Sequence, residues 1–146
     1  MILTKASKLG LYALTEMALR PGEVLSASAI AARYGVSENH IGKVLQSLAR
    51  AELVSSTRGV GGGYQLTRSA AEITMADVVR ALEGPLPSDG CTDCPFRELK
   101  ESCAADTATC SVHTLLDELN SQVHYTLESV TIATLARSKP TLKKPG

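Results

Sequence analysis

The sequence predicts a mainly α-helical chain with one small β-hairpin. Apolar residues recur every three or four positions over residues 9–48 and again from about residue 111, which is the period of an amphipathic helix. After Leu53 the period falls to two over two short runs, which is typical of a hairpin. Apolar residues make up 44% of the 146 residues, so one modest core is expected, and with one Phe and no Trp that core must be aliphatic.

The N-terminal helices follow from their capping residues and from the breaks between them. Three helices are expected: from Thr4 or Ser7 to before Pro21, from Ser26 to Tyr34, and from Ser37 to about Ala51. Ser26 and Ser37 are favourable N-caps, and Gly35 interrupts the chain between the second and third helices. Two short helices joined by about three residues, with Gly in the joint, describe a helix-turn-helix.

The period-two region predicts strands over residues 54–57 and 64–66. Between them, residues 58–63 contain four glycines in six positions, which permits positive φ and close approach of the backbone to another surface. A hairpin that follows a helix-turn-helix is a wing, so the predicted fold is a winged helix-turn-helix. Thr74 and Asp77 have the spacing of a capping box and open a fourth helix that runs through Leu82.

The C-terminal half predicts a cysteine-rich loop followed by a long helix. Residues 84–110 contain four Cys and few large aliphatic residues, so they cannot bury a core of their own. A helical stripe then needs a partner surface, either the first helix or the same helix of a second subunit. The stripe consists of Val112, Leu116, Leu119, Val123, Leu127 and Val130. The predicted organisation is a winged helix-turn-helix domain (1–83), a cysteine-rich cluster-binding loop (84–110), a dimerisation helix with its C-terminal segment (111–137) and a disordered tail (138–146).

The formal net charge is zero, but the charges are divided along the chain. Residues 1–68 contain eight basic groups and four acids, whereas residues 69–138 contain four basic groups and eleven acids. The last eight residues add three lysines. A basic N-terminal half suits a polyanion such as nucleic acid.

A recognition helix enters the major groove by its N-terminal residues, so the third helix supplies the candidate DNA contacts. Asn pairs well with adenine, Glu accepts from cytosine N4, and Ser, His and Lys reach bases or phosphates. Arg58 in the wing suits the narrow minor groove, and the neighbouring glycines let the backbone approach phosphate. The candidate DNA-binding residues are Ser37, Glu38, Asn39, His40, Lys43, Arg58, Gly59 and Gly61. A polar helical turn and a glycine-rich hairpin also occur in protein–protein modules.

The cysteines form a candidate metal site. Four thiolates within one 20-residue loop suit an iron–sulfur cluster or a tetrahedral zinc ion, although zinc sites favour two tight Cys pairs and this loop has one. The candidate ligands are Cys91, Cys94, Cys103, Cys110 and His113. Free thiols or a reversible disulfide between Cys91 and Cys94 are the alternatives.

Other classes of protein are disfavoured. No apolar run reaches the length of a membrane span and no signal peptide opens the chain, so we expect a cytoplasmic protein without a membrane partner. No Rossmann fingerprint, HExxH motif or P-loop is present, and no βαβ pattern surrounds the Cys91–Cys94 pair, so we expect no enzyme.

With these motifs in place, the chain resembles the IscR/NsrR/RirA family of bacterial winged-helix iron–sulfur transcription regulators. The resemblance covers roughly residues 1–137 and lies in six segments: residues 1–5, 34–41, 58–64, 72–79, the cysteine loop and 131–135. Val36–His40 is most similar to the nitric-oxide-sensing branch. Cys110 and His113 are more similar to the regulator of iron–sulfur assembly, in which a Cys and a His at that spacing bind a [2Fe–2S] cluster.

The resemblance implies a homodimer held by the long C-terminal helices, with one [2Fe–2S] or [4Fe–4S] cluster per subunit. It also implies a near-palindromic DNA operator whose affinity for the protein depends on the state of the cluster. This sequence departs from the family in its cysteines, since family members commonly have three, about five residues apart, and this chain has four with wider gaps. Cys110 and Cys103 match the last two, and either Cys94 or Cys91 matches the first.

Overall fold

The computed structural model describes residues 3–86 and 110–138, which form six α-helices and one two-stranded antiparallel sheet. The elements are α1 (Lys5–Leu19), α2 (Ala27–Tyr34), α3 (Glu38–Arg50), β1 (Val54–Thr57), β2 (Gly63–Leu66), α4 (Met75–Glu83), α5 (Ser111–Ser129) and α6 (Ile132–Arg137). The predicted fold class is confirmed, and the observed helices and strands follow the predicted bounds closely. Most of the predicted cysteine loop and tail lies outside the described residues.

The helix-turn-helix is formed by α2 and α3, and its local geometry follows from three side chains. The Ser26 hydroxyl accepts a hydrogen bond from the N–H of Ala29 at 3.1 Å, which caps α2. Gly35 ends α2 with φ +63°, a left-handed conformation that glycine adopts without strain. The Ser37 hydroxyl then accepts from the N–H of His40 at 3.1 Å and begins α3.

The wing is an antiparallel pair in which Val54 lies opposite Leu66 and Thr57 lies opposite Gly63. Leu25, in the segment between α1 and α2, exchanges two backbone hydrogen bonds with Tyr64 of β2, at 2.9 and 2.8 Å. These bonds attach the wing to the N-terminal helices, so the segment that leads into α2 holds β2 close to the turn of the hairpin.

One aliphatic core joins the N-terminal helices to the wing, as the composition predicts. Leu14, Ile41 and Leu45 have no exposed surface, and burying each such side chain contributes about 1.5–3 kcal/mol. The α1 and α3 members of this core are Leu9, Ala13, Leu14, Met17, Ile41, Val44, Leu45 and Leu48.

The end of the chain returns to this same core. Thr131 forms an isolated antiparallel bridge with Thr74, and the N–H of Ile132 donates to the carbonyl of Ile73 at 2.9 Å. Ile132 is completely buried, and α6 packs against α1. The division of the chain into domains stays a prediction, and within the described residues α6 packs with the N-terminal elements.

Helix α5 is attached to the rest of the fold at its C-terminal end. Leu127 is buried with Val79 and Leu86 in a second apolar cluster, and Arg80 of α4 forms an ion pair with Glu128. Toward its N-terminus the apolar face is exposed, at 65% for Val112, 57% for Leu115, 39% for Leu116 and 49% for Leu119. The last turns of the predicted apolar stripe therefore pack against α4, whereas its first turns are exposed. Among the described residues, no helix combines the length and hydropathy that a membrane span requires.

The capping box at the start of α4 supports both α4 and the returning chain. The Thr74 hydroxyl accepts from the N–H of Asp77 at 3.1 Å, and the Asp77 carboxylate accepts from the N–H of Thr74 at 3.0 Å. We expect Thr74→Ala to lower the free energy of unfolding by about 1 kcal/mol, measured by urea denaturation at fixed protein concentration.

Thr126→Ala is the matched control for this prediction. Thr126 is exposed, its hydroxyl donates to the carbonyl of Gln122 within the same helix at 3.0 Å, and alanine favours a helix more than threonine does. Equal losses of stability in the two variants would contradict the role of the cap.

Candidate nucleic-acid interface and candidate metal ligands

Most of the predicted DNA-binding residues lie together, on the exposed face of α3 or at its N-cap. The cap bond of Ser37 positions the first turn, in which Glu38 and Asn39 are exposed and His40 is half-buried. Lys43 follows one turn later and is also exposed. Ile41, Val44, Leu45 and Leu48 bury the opposite face, so the rotation of α3 about its axis is set by the core.

The same face extends further than the sequence analysis proposed. Gln46 and Arg50 are exposed, and they continue the face of Asn39 and Lys43 at helical spacing. The Arg50 guanidinium also donates to the Ser47 hydroxyl at 3.3 Å. The helical period of α3 was sufficient to place Gln46 and Arg50 on this face. They were not predicted because a recognition helix enters the major groove by its N-terminal turns, where the candidates were sought.

The wing carries Arg58, Gly59 and Gly61 at its exposed tip. The N–H of Gly62 donates to the carbonyl of Gly59 at 3.0 Å and closes a tight turn, with φ +99° at Gly59 and +76° at Gly61. Val60, at the centre of this turn, is fully exposed and was missed by the sequence analysis. Its position as an apolar residue between two glycines could have marked Val60 as an exposed residue of the wing tip.

The other two wing glycines serve the hairpin itself. A side chain at Gly62 would collide with the carbonyl oxygen of Thr57, and one at Gly63 would lie 2.5 Å from the carbonyl oxygen of Leu25. The glycine-rich loop therefore has two internal causes, positive φ at Gly59 and Gly61 and backbone crowding at Gly62 and Gly63.

A buried carboxylate joins α1 to the helix-turn-helix. Glu16 is 3% exposed, accepts from Arg33 Nε at 2.7 Å and accepts from the Tyr34 hydroxyl at 3.1 Å. Its charge raises the pKa of Arg33, and burial, followed by the charge of Glu16, raises the pKa of Tyr34 to about 12. The Tyr34 ring also lies 5.2 Å from that of Tyr12. These contacts hold α2, and through it the start of α3, in one orientation on α1.

Two of the five predicted metal ligands, Cys110 and His113, lie within the described residues. Cys110 is exposed at the N-cap of α5, where its side chain makes no capping hydrogen bond, and His113 lies one helical turn later. The His113 side chain is 15% exposed, and its Nε2 lies 3.1 Å from the Asp117 carboxylate. Cys91, Cys94 and Cys103 lie outside the described residues. Within residues 3–86 and 110–138, no three His, Cys, Asp or Glu residues are grouped as a complete metal site.

The side chains of Cys110 and His113 are suitable ligands for either an iron–sulfur cluster or a zinc ion. Thiolate and imidazole are ligands that iron and zinc both accept, and a carboxylate beside a histidine nitrogen is the usual partner that orients a ligating ring. Cys110 and His113, at i and i+3, share one side of the first turn of α5.

The fold and the exposed face of α3 define a winged helix-turn-helix transcriptional regulator. A family model described as Rrf2, iron-dependent transcriptional regulator, matches residues 3–138, so the chain belongs to the Rrf2 family. The resemblance to the IscR/NsrR/RirA regulators is thereby confirmed at the level of the family.

Individual relatives agree with this assignment. BadM of Rhodopseudomonas palustris, whose name places it among HTH-type transcriptional regulators, is 35% identical over 138 residues, covering 94% of this chain and 82% of that protein. The structure of CymR, the global cysteine regulator of B. subtilis, matches with a TM-score of 0.75 at 27% identity, covering 96% of this chain and 99% of that one. The structure of T. potens IscR matches with a TM-score of 0.70 at 26% identity, covering 100% and 94%.

The Tyr34 contact yields a test of the α1–α2 connection. We expect Tyr34→Phe to lower the free energy of unfolding at neutral pH by about 1.5 kcal/mol, because a buried carboxylate loses one donor while the ring is kept. Between its ordinary pKa of 10.0 and the folded value of about 12, wild-type Tyr34 keeps a proton that the unfolded chain releases. Stability therefore falls as the pH rises through this range.

Urea denaturation at neutral and alkaline pH measures both effects. The Phe variant should lose the part of the alkaline decline that Tyr34 causes. Tyr12→Phe, which removes the hydroxyl of a half-exposed ring, should remain near wild type at neutral pH. An alkaline decline of the same size in wild type and Tyr34→Phe would contradict the assignment.

Proposed function

We propose that this protein is a homodimeric transcription regulator that binds a near-palindromic DNA operator and adjusts its operator affinity through an iron–sulfur cluster. The observation that carries the DNA-binding part is the polar face of α3, exposed along its length while the opposite face is buried in the core. Membership of the Rrf2 family supports the same function.

The roles proposed for the individual residues follow from their chemistry. Asn39 would pair with adenine and Glu38 would accept from cytosine N4, while Ser37, His40 and Lys43 would contact bases or phosphates. Arg58 would enter the minor groove beside the turn formed by Gly59 and Gly61. A protein that binds chromosomal DNA in this way would act in the cytoplasm.

The proposed dimer is supported by the open part of the α5 face. Val112, Leu115, Leu116 and Leu119 present a continuous apolar strip that no described part of the chain covers. A second copy of α5 offers an equivalent strip, and two copies of α3 would then meet successive major grooves at about 34 Å. Sedimentation equilibrium checks this proposal, and a monomer at micromolar concentration would contradict it.

The proposed cluster would be held by Cys110 and His113 together with cysteines chosen from Cys91, Cys94 and Cys103. A bound cluster supplies metal–ligand bonds that are lost on oxidation, iron depletion or nitrosylation. Helix α5 would transmit the loss of these bonds, since Cys110 and His113 lie at its N-terminal end and its other end contacts α4 through Leu127 and Val130. A displacement of the first turn of α5 would thereby change the spacing of the two recognition helices.

A regulator switched by zinc or by a thiol, without a cluster, is the alternative. The exposure of Cys110 favours this alternative. The similarity to CymR favours it as well, because one of the similar structures is the oxidised form of Staphylococcus aureus CymR, at 25% identity. A protein-interaction module without a DNA role is the remaining candidate.

DNA binding is tested with variants of the two proposed contact surfaces. We expect Arg58→Ala to weaken binding most on duplexes with a narrow, A·T-rich minor groove and to lower the salt dependence by about one charge, because the guanidinium that enters that groove is lost. Asn39→Ala should reduce discrimination for one A·T pair by about 1–3 kcal/mol. Fluorescence anisotropy with promoter fragments at several salt concentrations measures both.

Arg137→Ala, which changes an exposed arginine at the end of α6, is the matched control and should leave binding unchanged. A wild-type protein without affinity for DNA, in both its cofactor-loaded and cofactor-free forms, would favour the protein-interaction module.

The cofactor is tested on protein purified without oxygen. Iron, acid-labile sulfide and visible absorbance are expected, with the spectrum altered by Cys110→Ser and by His113→Ala because each removes a ligand. His124→Ala, further along the same helix, is the control and should leave the spectrum unchanged. A colourless protein without iron would contradict the cluster, and zinc analysis with thiol titration would then distinguish the two forms of the alternative.

A further inference from the structure

Nine glycines lie in the described part of the chain, and eight of them have a cause within the fold. Five have positive φ, namely Gly22, Gly35, Gly59, Gly61 and Gly84. Three more are crowded, since Gly62 and Gly63 face backbone and a Cβ on Gly10 would lie 2.6 Å from Leu82 Cδ1. Gly42 has neither cause, because its φ is helical and a Cβ there would meet nothing within 4 Å.

Gly42 is also placed where glycine is unfavourable. It lies in the interior of α3, where glycine loses more backbone entropy on folding than alanine and adds no packing. Alanine would fit this position without any displacement of neighbouring atoms. The described fold therefore favours alanine at position 42 and gives no reason for the glycine.

The neighbours of Gly42 indicate what approaches it. Helical spacing places Glu38 and Asn39 one turn before it and Gln46 one turn after it, all exposed. Lys43, also exposed, adjoins it. Gly42 is half-buried and thus lies on the flank of the proposed DNA-binding face, on the same ridge as Glu38 and Gln46, whose side chains can hydrogen-bond to base edges or phosphates.

We propose that Gly42 is the point at which the backbone of α3 comes closest to the floor of the DNA major groove. This inference rests on the proposed DNA-binding function and adds a determinant of depth and specificity to it. Because Gly42 has no side chain, the helix axis can approach the base edges, and the side chains of Glu38, Asn39 and Gln46 can then reach them. A Cβ at this position would hold the helix away and weaken specific contacts on both sides of it.

The test is a graded series, Gly42→Ala, Gly42→Val and Gly42→Leu, in the full-length protein purified without oxygen. The probe is a labelled duplex that the wild-type protein selects from a random-sequence library. We expect operator affinity to fall about tenfold for alanine and further for leucine, which is the scale of losing one or two base contacts. Thermal unfolding of free Gly42→Ala should occur at a higher temperature than that of wild type, because its helix propensity increases.

Ser121→Leu is the matched control, since Ser121 is an exposed helical position opposite the apolar face of α5. It should leave operator affinity unchanged. Affinity that falls equally for alanine and leucine would indicate that backbone flexibility matters rather than space, and it would overturn the proposal. Unchanged affinity in Gly42→Leu would overturn it as well.

Failure of the proposed function gives a different result. A wild-type protein that selects no duplex from the library overturns both the DNA-binding function and the role of Gly42. Selection by wild type together with an unaffected Gly42→Leu overturns the role of Gly42 alone.

Discussion

The burial of one face of α3 is the constraint on which the rest of the structure depends. Ile41, Leu45 and Leu48 have no exposed surface and form the centre of the aliphatic core with α1. Since a helix has 3.6 residues per turn, fixing these three positions also fixes which residues point outward. Stability and the display of Asn39, Gly42 and Gln46 are therefore two consequences of one packing arrangement.

The buried Glu16 carboxylate supplies orientation where apolar packing is less directional. A charge away from water is costly unless it is paired and hydrogen-bonded, and Arg33 and Tyr34 do both for Glu16. Arg20 at the end of α1 forms a further ion pair with Glu16 at 3.7 Å, and Arg33 and Tyr34 lie at the end of α2, just before the turn into α3. The position of α2 on α1 is consequently limited to arrangements that bring these two side chains to one carboxylate.

Helix α5 is packed against the fold at its C-terminal end and exposed toward its N-terminal end. Its C-terminal end is tied to the DNA-binding elements by Leu127, by the Arg80–Glu128 ion pair and by the Thr74–Thr131 bridge just beyond it. Its N-terminal end carries Cys110 and His113 beside an open apolar face. The charges are also divided along the sequence: the basic segment contains α3 and the wing, and the acidic segment contains the cysteines.

The sequence by itself determined the features that depend on neighbouring residues. Ser26, Ser37 and Thr74 cap helices through bonds to residues three positions later, and the apolar period of α3 identifies its buried face, so these elements were predictable. Only the tertiary structure decided that Ile132 returns to the core beside Ile73, that Glu16 meets Arg33, and that Gly63 faces Leu25. Those contacts join residues far apart in the chain, and no local pattern encodes which distant surface a residue will meet. The proposal for Gly42 also depends on the tertiary structure, because only the structure shows that a side chain at this helical position would meet no other atom of the described chain.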